Sequence, residues 1–251
     1  MNKYKYSPKI SILSAIAYIA IMGIGMYTMH HVFNYTYDDA NMVKVLIFVE
    51  IILSGFAIFV TNKFYGWKNI GFKKINLKKL IWFVPHLLVV ISMLFVFIQS
   101  FVSNINSVDS DKTLLIALVG LTTLLVGFSE EVMFRGIVLR GFTNNGKLYT
   151  GLLASSVMFA LLHSVNILGG LGVQNVQNQL IMTFIAGAFF APLAIKLNNI
   201  IPIIIFHWIW DFTLIASPII GSNVNALSSI GISLNVLVGI LLWLFIRRKE
   251  I

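Results

Sequence analysis

The sequence predicts an all-α protein, a polytopic transmembrane helical bundle of about eight spans with its N- and C-termini cytoplasmic. Its composition predicts this class: hydrophobic residues fill 58% of the 251 positions and charged residues only 11%. A soluble domain keeps about a quarter of its residues charged, so a chain this apolar needs the bilayer as its solvent. The mean hydropathy of +0.90 points the same way.

Apolar runs long enough to cross a bilayer as helices follow one another along the chain, each of roughly 20 residues or more. They lie near residues 10–30, 42–61, 80–101, 113–140, 149–168, 178–196, 200–220 and 228–246. The first run exceeds the apolar region of a signal peptide, so we interpret it as an uncleaved helix. We expect residues 1–251 to form a single integral membrane domain.

The basic residues set the orientation, because loops rich in lysine and arginine stay on the cytoplasmic side. They cluster before the first run, within 63–79 and at the end of the chain. The aspartates at positions 38, 39, 109 and 111 lie in the opposite loops. The net charge of +9 therefore belongs to span ends, and we expect no nucleic-acid partner.

Basic and aromatic residues also mark the stretch 62–79, which contains Trp67 and Phe72. We expect this stretch to be an amphipathic segment that lies against acidic lipid headgroups.

Ionisable residues inside the apolar runs indicate function or pairing, because a charge in hydrocarbon is costly. Glu131 and Arg135 are four positions apart, so on a helix they share a face and can form an ion pair. Glu130 is rotated by about 100° from Glu131 and is free to face another group. His207 and Asp211 are also four positions apart, so the carboxylate can orient the imidazole or join it as a ligand.

Three separate helices bring Glu130, His163 and His207 into the membrane. A buried glutamate can act as a general base, and a neutral imidazole can hold a water, stabilise an oxyanion or bind a metal. These side chains are what metal-assisted or glutamate-driven hydrolysis needs. Counted from the basic loops, His163 lies deeper than the other two, so tilt or an early helix start is needed for them to meet. The chain has no cysteine, which excludes a cysteine nucleophile.

Taken together, the three segments resemble the CPBP family of intramembrane proteases, also called Abi or type II CAAX prenyl endopeptidases. The family motifs stand here, in order, as Glu130-Glu131-x-x-x-Arg135, Phe159-x-x-x-His163 and His207-x-x-x-Asp211. The resemblance covers about residues 129–211 and says little about the first three spans.

The resemblance implies a membrane-embedded endopeptidase of glutamate or metallo type, with a catalytic core at 113–220. It implies that Glu130 activates a water as the general base and that His163 helps to position this water. It also implies that His207 and Asp211 stabilise the developing oxyanion or complete a metal shell. Both a divalent metal such as zinc, held by these four side chains, and no metal at all stay open.

The remaining motif residues, Glu131, Arg135 and Phe159, are implied to support the site structurally. The implied partner is a peptide or protein-tail substrate in the membrane, such as a prenylated tail or, in bacterial relatives, a secreted peptide or bacteriocin. A chain rich in isoleucine, asparagine and lysine favours a bacterial cytoplasmic membrane. The oligomeric state stays open.

Two other classes of function are alternatives to the endopeptidase hypothesis. A non-catalytic bacteriocin-immunity protein would use the motifs only for packing. An ion-coupled transporter would use Glu50, Glu130 and Asp211 as a proton relay, although the chain lacks the internal repeats and paired broken helices of many carriers.

Glu50 and His86 are ionisable residues inside spans that the family motifs do not include. For Glu50 we expect pairing with a distant lysine, with a cavity-lining position as the alternative. His86 follows Pro85, and we expect it to hydrogen-bond locally, where the proline frees a carbonyl.

Overall fold

The computed structural model describes residues 7–247, and this part of the chain is helical with no β-strand. Within it, eight helices are long and apolar enough to cross a membrane. We number them α1 to α8 in chain order: Pro8–His31, Ala40–Tyr65, Val84–Ser103, Ser110–Thr143, Leu148–Gly169, Val173–Leu197, Ile201–Ile220 and Asn225–Phe245. The predicted all-α bundle of about eight spans is confirmed.

Local sequence signals explain where several helices begin. Proline lies in the first turn of α1, α3 and α7, where its missing N–H leaves no intrahelical bond unmade. Asp109 caps α4, because its side chain accepts a hydrogen bond from the Lys112 backbone N–H at 2.8 Å. Gly170 and Gly221 end α5 and α7 with φ angles of 86° and 70°, in the left-handed region that favours glycine.

The helices surround a central cavity. Helix α4 packs against α2 and α7, and α6 packs against α5 and α8. Helix α1 closes one side against α2 and α5, while α3 packs outside against α7 and α8. Large apolar side chains such as Ile24, Phe48 and Leu244 remain more than half exposed on the outer faces. Such faces suit lipid, which is as apolar as they are.

A glycine on α4 brings this helix close to α7. A Cβ atom added at Gly127 would lie 3.0 Å from the Ile204 carbonyl oxygen and 3.1 Å from the Trp208 backbone nitrogen. Glycine suits such an approach, because a Cβ atom here would force the two backbones apart by a few tenths of an ångström. Beyond Glu131 the helix widens into a buried π-helical segment, Val132–Val138, that no sequence pattern indicated.

The segment after α2 folds onto the protein, which corrects part of the expectation for 62–79. Ile70 is fully buried and would contact a Cβ atom on Gly136 at 3.2 Å. The Trp67 ring stacks on Phe128 of α4, with 6.3 Å between ring centroids. Ile70 is therefore shielded from lipid, and Trp67 is held partly buried against α4.

The same segment covers the turn between α6 and α7. The Asn76 N–H donates to the Leu197 carbonyl at 3.0 Å, and the Ile200 N–H donates to the Gly71 carbonyl at 3.1 Å. Ile200 is fully buried as a result. Helix α7 therefore begins beneath a layer of protein.

His86 joins two distant helices, contrary to the local hydrogen bond expected for it. Its Nε2 atom lies 3.0 Å from Asn235 Oδ1 on α8, and its ring stacks on Phe189 of α6 at 3.9 Å between centroids. The expectation was wrong, because Nε2 bonds to a residue 149 positions away and Nδ1 has no hydrogen-bond partner among the described residues.

Candidate active site

A buried carboxylate on α4 holds an arginine and a histidine together. Arg135 Nη1 donates to Glu131 Oε1 at 3.0 Å, and both side chains are fully buried, so the expected ion pair is present. His207 Nδ1 of α7 lies 2.9 Å from the same oxygen. The Arg135 guanidinium lies 3.9 Å from the centroid of the Phe159 ring, a cation–π contact. Glu131 thus links α4 to α7 and fixes the imidazole.

The other nitrogen of His207 faces two more carboxylates. His207 Nε2 lies 3.2 Å from Asp211 Oδ2 and 3.9 Å from Glu130 Oε2. Ionised carboxylates only accept hydrogen bonds, so each of the two nitrogens can donate to the carboxylate that it faces. The arrangement provides an oriented N–H donor beside Glu130.

Glu130 is the carboxylate without a role in packing. Its side chain is 4% exposed, and its Oε2 atom has no hydrogen-bond partner. Buried polar atoms are normally satisfied, so an unsatisfied one indicates a place for a group that enters the site. The structure leaves Glu130 available, as its rotation from Glu131 indicated.

His163 is oriented by its own helix. Its Nδ1 atom lies 3.0 Å from the Phe159 carbonyl oxygen, one turn earlier. A carbonyl only accepts, so Nδ1 carries the hydrogen and Nε2 keeps its lone pair. The residue stands where the α-helical part of α5 ends and the 3₁₀-helical part, His163–Gly169, begins. Its free nitrogen can accept a hydrogen bond from a water.

The four predicted catalytic residues line one cavity of about 360 Å³, which helices α1, α2 and α4 to α8 enclose. These four are Glu130, His163, His207 and Asp211. Glu130 and His163 each lie about 20 Å along their helices from the ends nearest the basic loops, whereas His207 is only about 9 Å into α7. All three side chains line the same cavity, so the greater depth expected for His163 does not keep them apart.

Glu50 also lines this cavity, a position the sequence offered only as an alternative. Ser129 Oγ donates to Glu50 Oε2 at 2.9 Å, and the Tyr18 hydroxyl lies 2.7 Å from Ser129 Oγ. No lysine among residues 7–247 pairs with Glu50, so the expected lysine partner was wrong. The sequence indicated a role for Glu50 only by its position, as an acidic residue in the middle of an apolar run.

A polar chain at one end of the cavity was missed altogether. Asn166 Nδ2 donates to Gln179 Oε1 at 2.8 Å, and Gln179 Nε2 donates to the Tyr37 hydroxyl at 3.0 Å. Burial raises the pKa of Tyr37 to about 12, so its hydroxyl keeps its proton. Amides and tyrosines near span ends carry no distinctive spacing, which is why the sequence did not reveal this group.

The site side chains do not fit a metal ion in this arrangement. In the described part of the chain, no three histidine, aspartate or glutamate side chains converge closely enough to bind one. A ligating histidine needs one unprotonated nitrogen, yet both nitrogens of His207 face carboxylate oxygens. Of the two alternatives that the sequence left open, a metal held by these four side chains is the one that this arrangement does not support.

Comparison with known proteins gives a family match over the region that contains the motifs. The family model described as Type II CAAX prenyl endopeptidase Rce1-like matches residues 111–213, which contain all the motif residues. No curated protein and no solved structure matches the chain significantly. The resemblance to the CPBP family of intramembrane proteases is confirmed, and the match supports a CAAX-type intramembrane endopeptidase in a multi-pass membrane protein.

Proposed function

We propose that this protein is an endopeptidase that cleaves membrane-associated peptides or protein tails with a water activated by Glu130. The observation that carries the proposal is the buried, unpartnered Oε2 atom of Glu130, which lies in the cavity 3.9 Å from His207 Nε2. A base with no competing hydrogen bond beside an oriented donor is what the attack of water on a carbonyl requires.

In the first step Glu130 accepts a proton from the water, while the lone pair of His163 Nε2 holds the other hydrogen. The water oxygen bonds to the carbonyl carbon of the peptide, and the electron pair of the carbonyl moves to its oxygen. The Nε2–H of His207, which faces Asp211 in the empty site, turns to this oxyanion once the substrate is bound and donates to it. Glu130 then transfers its proton to the leaving nitrogen, the C–N bond breaks, and a new carboxyl and a new amine terminus result.

The other motif residues position these groups. Glu131 and Asp211 hold the two nitrogens of His207, which fixes the direction of its N–H. Arg135 balances the charge of Glu131, and Phe159 lies against the guanidinium and orients His163 through its carbonyl. We assign the catalytic core to 113–220 within one membrane domain of residues 1–251.

The basic loops favour cytoplasmic termini, and the composition favours a bacterial cytoplasmic membrane. In that setting the substrates we propose are precursors of secreted peptides, including bacteriocins.

The test compares peptide termini in membranes from cells that make the wild type or the Glu130→Gln variant at equal levels. Glutamine keeps the shape of glutamate but cannot accept the proton, so we expect new termini with the wild type only. The matched control is Asp111→Asn, which neutralises an exposed carboxylate in the first turn of the same helix. Identical profiles for the wild type and a folded Glu130→Gln protein would favour an immunity protein or a transporter instead.

A further inference from the structure

Carboxylates outnumber cationic side chains around the cavity. Three carboxylates line it, from Glu50, Glu130 and Asp211, together with the two histidines. No lysine or arginine of residues 7–247 lines it, and Arg135 is already paired with Glu131. A cationic group entering the cavity therefore meets acceptors, whereas an anionic group finds no arginine or lysine to pair with.

Glu50 is the carboxylate that the proposed mechanism does not use. Its side chain is 1% exposed in the middle of α2, and its hydrogen-bond partner is the hydroxyl of Ser129. That hydroxyl accepts in turn from Tyr18, so the pair holds Glu50 at a fixed place in the wall. A buried carboxylate supported by a hydroxyl alone gains more from a cation than from any other partner.

The surroundings of Glu50 suit a long cationic side chain. Met22, Met26, Met42 and Leu46 line the same cavity from α1 and the neighbouring turns of α2. Methionine side chains are flexible and adapt to varied apolar shapes. The aliphatic stem of a lysine can lie against such side chains while its charged end reaches a carboxylate.

The Oε2 atom of Glu130 lines the same cavity and has no hydrogen-bond partner, so a group that enters the cavity can bond to it. The reacting end, at Glu130 and His207, is formed by α4 and α7. Glu50 lies on α2, so one substrate can contact Glu50 and the reacting end at the same time.

We propose that Glu50 binds a cationic group of the substrate, the side chain of a lysine or arginine close to the cleaved bond. The inference rests on the proposed endopeptidase function and adds the class of peptide that the cavity selects. A peptide with an acidic residue at the same position is excluded, because its carboxylate would be buried next to Glu50 without a cation.

The experiment measures cleavage of matched peptides by the full-length protein in lipid vesicles. Each peptide carries lysine, norleucine or glutamate at one position, scanned over the residues on either side of the cut that the comparison of termini identifies. At one position we expect kcat/KM to be about tenfold or more higher for lysine than for glutamate, with norleucine between them.

Three variants assign this preference to Glu50. In Glu50→Gln the advantage of lysine over norleucine disappears, although glutamine still accepts a hydrogen bond from Ser129. In Glu50→Asp part of the preference returns, because the charge is kept. Tyr18→Phe removes a hydroxyl behind Ser129 and leaves the carboxylate in place, so the preference persists.

The outcomes separate this inference from the proposed function. If the wild type cleaves the norleucine peptide and Glu130→Gln does not, the proposed function stands. Equal rates for lysine and glutamate at every position, or a preference that survives in folded Glu50→Gln, then overturn the role of Glu50. If the wild type cleaves none of the peptides, the proposed function and this inference fall together.

Discussion

At the scale of single residues, the site depends on one imidazole held between carboxylates. Glu131 Oε1 lies 2.9 Å from His207 Nδ1, and Asp211 Oδ2 lies 3.2 Å from its Nε2. The same Glu131 oxygen accepts from Arg135, so this carboxylate both orients the imidazole and balances a buried cation. Breaking such a pair on one side is far more costly than removing an exposed charge.

We therefore expect Glu131→Gln to lose both activity and stability. The substitution leaves Arg135 buried without a counter-charge, which costs roughly 3–5 kcal/mol. Thermal unfolding in detergent and the rate of peptide cleavage measure the two losses. Asp111→Asn is the matched control, since it neutralises an exposed carboxylate in the first turn of the same helix. Equal unfolding temperatures for wild type and Glu131→Gln would contradict the structural role of this carboxylate.

At the scale of elements, the approach of α4 to α7 brings the motif residues together. The contact is made near Gly127, where a Cβ atom would fit only if the two backbones moved apart by a few tenths of an ångström. Glu130 and Glu131 follow within about one turn of this contact, and His207 lies beside it on α7. The separation of the two helices therefore controls the distance between the base and the imidazole.

Gly127→Ala tests this dependence. The added methyl group would lie 3.0 Å from the Ile204 carbonyl oxygen, so the helices have to separate. We expect a loss of about 1–3 kcal/mol in stability, as for other overpacked sites, and a fall in cleavage rate. Gly55→Ala on α2 is the control, because nothing lies within 4 Å of its Cβ position. In the control, alanine favours the helix by up to about 1 kcal/mol. Equal stability and equal cleavage rates for Gly127→Ala and Gly55→Ala would contradict the role of the close approach between α4 and α7.

At the scale of the whole molecule, the bundle encloses a cavity with polar groups at defined places. Its outer faces are apolar, and its ionisable side chains face inward or towards the loops. This distribution follows from the cost of charge in lipid, which leaves protein-lined space as the place where such groups can meet. The same principle allowed the sequence to indicate the site, because each acid or histidine within a span was a signal.

The sequence was sufficient for features that depend on periodicity and composition. The spans, their order and the ion pair of Glu131 with Arg135 all follow from apolar runs and from spacing along a helix. Features set by contacts between distant segments were not accessible. The bond from Ser129 to Glu50 joins residues 79 positions apart. The folding of Ile70 onto Gly136 likewise depends on shapes that no local pattern encodes.

The most direct test of water activation by Glu130 is a single turnover of peptide cleavage in water enriched in oxygen-18. If Glu130 activates a water that attacks the peptide carbonyl itself, the new C-terminal carboxyl carries one oxygen-18 atom in the first turnover. Mass spectrometry of that product, made by the full-length protein in vesicles in excess over the peptide, gives the result. An unlabelled carboxyl in the first turnover would mean that a side-chain oxygen attacks instead, and it would contradict the role assigned to Glu130.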